Sequence, residues 1–112
     1  MIFTATNVED VEIVKINLQR ATSVDSNKFK TFVMELLDLN KNKIVVDFSE
    51  CDFIDSTFLS VLVTALKKIV QKDGDLRLTG LNKSASTMFT LTGMNKVFKI
   101  FSNELEAVGS FK

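Results

Sequence analysis

There is no histidine in this chain, and no tryptophan, tyrosine or proline. The absence of His removes the commonest general base and the commonest nitrogen ligand for metals. A single Cys, Cys51, leaves no internal disulfide, no zinc-type cluster and no Cys–His or Ser–His pair. Neither GxxxxGK[ST] nor GxGxxG occurs, so no phosphate-cradling loop is recognisable. The sequence therefore points away from catalysis, and no cofactor or metal is expected. Net charge is also missing: 14 basic side chains balance 14 acidic ones, and the lysines are spread along the chain. Without a basic block, nucleic acid is not an expected partner. No apolar run approaches the roughly eighteen residues of a membrane span. MIFTATNVED lacks the basic and apolar regions of a secretory signal. The lone thiol suits a reducing cytoplasm, with Cys51 read as a small buried apolar residue.

What is present is ordinary globular composition, 46% hydrophobic and 25% charged, in 112 residues. That length fits one domain over residues 1–112, with no linker or internal repeat. The aromatic content is ten Phe, which carry no polar handle and should serve the core.

Residues 2–6 and 11–18 read as strands, close enough to form a hairpin. Residues 25–39 read as a helix capped by Asp25 or Ser26, with Phe29, Phe32, Val33, Leu36 and Leu37 on one face. KIVVDF, residues 43–48, is a continuous apolar run suited to a central parallel strand. Residues 56–72 form a second helix, 75–79 a strand, 83–92 a helix, 96–101 a strand and 103–109 a short helix. This alternation predicts an α/β fold with a mixed, mostly parallel sheet of four to five strands and helices packed against it.

The segment FIDSTFLSVLV, residues 53–63, is where chemistry concentrates. Asp55, Ser56 and Thr57 follow the apolar strand and open the second helix, at the edge of the sheet where α/β sites lie. Asp55 reads equally as a helix cap and as a contact for a partner. Ser56 is a candidate phosphorylation site, with Thr57 as the alternative acceptor. A phosphate there would add roughly −1.5 to −2 charges at the positive end of the helix dipole. On a helical wheel Phe58, Val61 and Ala65 share a shoulder, which either packs under the helix over 25–39 or forms an apolar rim for a partner.

IVVDFSECDFIDSTFLSVLV resembles the signature region of STAS domains, especially bacterial anti-sigma factor antagonists. A second stretch, GDLRLTGLNKSASTMFTLTGMNKVFKIF, matches the family pattern through Gly74, Gly80, Leu81, Leu91, Thr92, Gly93, Met94, Val97 and Phe98. The resemblance spans roughly residues 10 to 108. It implies a small α/β domain that binds an anti-sigma factor serine kinase. That kinase would phosphorylate Ser56, the residue after Asp55, with its own ATP and magnesium, and a serine phosphatase would reset the cycle. It further implies partner contacts by Asp55, Ser56 and Thr57, with Thr22 in the loop that helps contact the partner in the family; the wheel adds Phe58 and Val61 if their shoulder is a partner rim. Two positions depart from the pattern. Phe58 replaces the usual Gly, where a bulky ring bears on which kinase fits, and the loop LQRATSVDS has Thr22 near the family's Asp. Those departures keep an alternative open: an unphosphorylated STAS subunit of a lipid-transport or stressosome-like complex.

Overall fold

A computed structural model describes residues 1–112. Its elements are β1 (Phe3–Val8), β2 (Val11–Ile16), β3 (Arg20–Ala21), α1 (Ser23–Asp38), β4 (Lys43–Asp47), β5 (Phe53–Ile54), α2 (Ser56–Gln71), β6 (Asp75–Thr79), α3 (Lys83–Leu91), β7 (Ile100–Phe101) and α4 (Glu104–Gly109). The main sheet has the order β1-β2-β4-β6-β7. β1 runs antiparallel to β2, and every other pairing in the sheet is parallel. The mixed, mostly parallel sheet expected from the sequence is therefore present.

Both faces of the sheet are covered, which explains the unbroken apolar run of β4. Ile44 and Val46 face the larger core, which α1, α2 and α3 complete. Val45 faces the smaller one with Val11, Ile13, Ala107 and Val108, so α4 closes the opposite side. Phenylalanines build the larger core: Phe29 stands 5.5 Å from Phe3 and 5.0 Å from Phe58 between ring centroids. Phe53 is the exception, exposed with the Arg20 guanidinium 4.2 Å above its ring. Cys51 is buried as expected, and burial pushes its thiol up from the ordinary value.

Several boundaries differ from those read in the sequence. α1 starts at Ser23 rather than residue 25, because Thr22 caps it. The Thr22 hydroxyl accepts from the Val24 amide, while the Thr22 amide donates to the Asp25 carboxylate. Asp25 thus serves as the second half of a capping box rather than as the cap. The strand expected over 96–101 shortens to Ile100–Phe101. Gly93 adopts a left-handed φ of 76°, and Met94–Lys96 coil into a 3-10 turn before the chain reaches the sheet. Two short strands, β3 and β5, form a separate parallel pair that the sequence reading missed.

Gly80 fixes the turn leaving β6. Its φ is +79°, and an added Cβ would lie 2.6 Å from the Ser49 nitrogen and 2.7 Å from the Asp47 carboxylate. Left-handed strain and these contacts act together. Gly80→Ala is expected to destabilise the fold by about 2 kcal/mol or more, read as a lower urea midpoint at unchanged slope.

Candidate functional site

β3 and β5 are only two residues long, but they decide where the two long helices begin. Arg20 pairs with Phe53 and Ala21 with Ile54, and each strand runs straight into a capping residue, Thr22 or Asp55. The ladder continues through the Asp55 amide, which donates to the Ala21 carbonyl at 3.0 Å. The N-termini of α1 and α2 therefore start side by side.

Asp55 joins them. One carboxylate oxygen accepts from the Phe58 amide at 2.8 Å, capping its own helix. The other accepts from the Ser23 amide at 2.9 Å, reaching the first residue of α1. Each helix presents first-turn N–H groups with no internal partner and a positive dipole end. A single carboxylate answers both, so capping and site geometry are the same interaction.

Ser56, the first residue of α2, is exposed, and so is Thr57. Beside Ser56 lies an open cleft of about 320 Å³, lined by Leu59, Ser60, Val63, Thr92 and Met94 as well as Ser56 itself. Leu91 and Val97 stand exposed at 82% and 45%. Of these residues, Leu91, Thr92, Met94 and Val97 were noted in the sequence only as pattern matches. Thr92 and Met94 reach the cleft beside Ser56 through the fold, since no local spacing signals their nearness.

Of the two readings of the α2 shoulder, packing under α1 holds for Phe58, and the partner rim at Phe58 is not there. Phe58 is fully buried, with its ring 5.0 Å from Phe29 and 6.4 Å from Phe48. A buried Phe is worth about 3–5 kcal/mol against alanine, so its place is structural. It presents nothing to a partner and cannot crowd a kinase at the helix start. Ala65 is fully buried too, and Val61 is half-buried against the same core and lies outside the cleft. The exposed residues of α2 at the cleft are instead Ser56 and Ser60, with Val63 half-buried beside them. Thr22 is half-buried, with its hydroxyl engaged as the α1 cap.

The sequence pattern of the STAS domain matches residues 4–107. The chain belongs to the STAS family. It is 31% identical over 102 residues to a Thermotoga maritima protein provisionally named an anti-sigma factor antagonist, covering 90% of this chain and 89% of that one. The anti-sigma-B factor antagonist of Listeria monocytogenes is 34% identical over 65 residues, 58% of this chain and 57% of the relative. A Thermotoga maritima crystal structure with the same provisional name superposes with a TM-score of 0.86 at 28% identity, covering 96% of this chain and 92% of that one. These STAS relatives carry the names of regulatory binding proteins, not of enzymes.

At the end of β4 this STAS domain holds a second acidic feature. Burial pushes the Asp47 carboxyl up, but hydrogen bonds from Glu104 and from Ser49, with Lys15 nearby, outweigh it and leave Asp47 below its ordinary value. The Ser49 amide donates to it at 2.8 Å. Glu104 is the proton holder: its hydrogen bond to Asp47, burial and the Asp47 charge push it up to about 6, against a smaller opposing pull from Lys15. This pair ties α4 to the carboxyl edge of β4.

A group held above its unfolded value stabilises the fold while it stays protonated. The Glu104 contribution is thus complete below its unfolded value of 4.5 and fades as pH rises through about 6. Melting temperature should fall between pH 5 and pH 7, and Glu104→Gln, which cannot ionise, should flatten that slope. Asp55→Ala should cost about 2–3 kcal/mol, because two helices lose an acceptor. Asn82→Ala, which removes the single cap of α3, should cost about 1 kcal/mol in the same denaturation assay.

Proposed function

We propose that this STAS domain is an anti-sigma factor antagonist that works by partner switching. Unmodified, it binds an anti-sigma factor that is also a serine kinase, and so frees a sigma factor. Phosphorylation of Ser56 by that kinase ends the complex, and a serine phosphatase restores it. The observation that carries this reading is the exposed Ser56 hydroxyl, set at a helix N-terminus against a carboxylate and beside an apolar cleft. The names of the Thermotoga and Listeria relatives support it.

The energetics favour release without unfolding. At a helix N-terminus the dipole stabilises a negative charge by about 0.3–1 kcal/mol. Across an interface, two like charges 4 Å apart repel by about 4 kcal/mol at a surface-like dielectric. A tenfold loss of affinity requires only about 1.4 kcal/mol. The docked protein therefore feels the phosphate far more than the fold does. Asp55, already negative beside the acceptor, adds to the repulsion.

Ser56 is preferred to Thr57 because it directly follows Asp55, as in the resembling signature. The partner surface comprises Asp55, Ser56 and Thr57 together with the cleft residues Ser60, Val63 and Met94. The alternative, an unphosphorylated scaffold subunit, drew on Phe58 as an obstacle to a kinase. With that ring inside the core Phe58 no longer favours the scaffold, whose remaining support is the departure of the loop around Thr22.

Incubation with an anti-sigma factor kinase and magnesium ATP should add one phosphate by intact mass, and Ser56→Ala should abolish it. Ser56→Asp should weaken binding to the same kinase by roughly tenfold or more with little change in melting temperature. Equal binding by Ser56→Ala and Ser56→Asp would rule the switch out.

A further inference from the structure

The two edges of the main sheet are not equally protected. β7 ends one side and is only two residues long, a length that offers little to an incoming strand. β1 ends the other with six residues, FTATNV, that contain no charge and no proline. Thr4 to Val8 are all exposed. Long, regular, uncharged edges template pairing with another strand unless something blocks them, and β1 carries none of the usual blocks.

Its register shows which backbone groups are free. Phe3 pairs with Ile16 and Thr6 with Ile13, and the Asn17 amide donates to the Ile2 carbonyl at 2.8 Å. In an antiparallel ladder hydrogen-bonded pairs alternate along the strand. The even residues of β1 are therefore spent on β2. Phe3, Ala5 and Asn7 turn their N–H and C=O groups outward, away from the sheet.

We infer that β1 is a self-association edge, pairing antiparallel with β1 of a second copy of this chain about a two-fold axis at Ala5. About that axis Ala5 meets Ala5 of the second copy, and Phe3 meets Asn7. All three outward residues then form hydrogen-bonded pairs, and both copies are satisfied by one register. Thr4 falls opposite Thr6, a favourable cross-strand pair on the α4 side of the sheet. No like charges meet within the paired segment. A shallow trough of about 600 Å³ flanked by Ile2, Phe3 and Phe32 runs between this edge and α1, and the second copy would cover it. The occupant is assigned as a second copy because the strand is its own complement. Its Thr, Ala and Asn side chains carry no feature that would select a foreign sequence.

The register makes the test specific. Directly opposed residues of a hydrogen-bonded pair have Cα atoms about 5.5 Å apart, within the roughly 4.4–6.8 Å that a disulfide spans. Ala5→Cys should give a disulfide-linked dimer on mild oxidation, without interference from Cys51, which is only 3% exposed. Asn7→Cys should not, because its two copies would lie about 13 Å apart at the strand rise. Sedimentation of the wild-type chain should show twice the 12.6 kDa chain mass at high concentration. Ala5→Pro, which deletes an outward donor and spares the β2 ladder, should weaken association roughly tenfold. A wild-type chain that stays monomeric at hundreds of micromolar overturns the proposal, as does equal cross-linking at both cysteine positions. So does protection of the β1 amides from exchange only when a different protein is added, an outcome that would assign the edge to that protein. None of these readouts involves Ser56, so the edge and the switch can fail separately.

Discussion

One carboxylate accepts a hydrogen bond from each of two helices. The Asp55 side chain reaches the Phe58 amide in its own helix and the Ser23 amide 32 residues earlier in sequence. Helix starts are where backbone donors go unanswered, and here two such starts are brought together by a ladder only two residues long. The arrangement converts a local capping preference into a tertiary contact. It also places Ser56, the hydroxyl proposed to carry the phosphate, at the start of α2 directly after the shared cap. Large apolar terms hold the sheet and helices together, but this small polar contact fixes how the helix ends face the solvent.

The core supports that contact from beneath. Phe58 donates its amide to Asp55 while its ring packs against Phe29 and Phe48. The same residue is tied to the cap and to the core, so the first turn of α2 cannot tilt without disturbing aromatic packing. On the far side Asp47 and Glu104 lie together where α4 meets the end of β4, a contact favoured while Glu104 keeps its proton.

The long elements were legible because their periodicity is strong: the 16-residue helices and the β-branched run of β4 announce themselves. β3 and β5 were not, since two residues carry no period and their pairing partner lies 33 residues away. The final strand was over-extended because KVFKIF has strand composition throughout, while the left-handed Gly93 commits the preceding residues to a turn. At the site, Asp55 and Ser56 could be read from their position after an apolar strand. The bond to Ser23 could not, being a product of the fold. For Phe58 the sequence left two places open, under α1 or on a partner rim, because a wheel drawn for one helix shows a shoulder but not what lies over it. α1 lies over it, and Phe29 supplies the contact.

The exposed residues around Ser56 have few structural duties. Thr57 and Ser60 face solvent, whereas Asp55, Phe58 and Gly80 are each pinned by hydrogen bonding, burial or backbone conformation. Under the proposed switch, drift in this molecule is thus channelled toward the proposed contact rim and away from the scaffold. After gene duplication, sister copies sharing one cell could acquire separate allegiances by changing two or three rim side chains, and cross-talk between parallel circuits would be suppressed without re-engineering the domain.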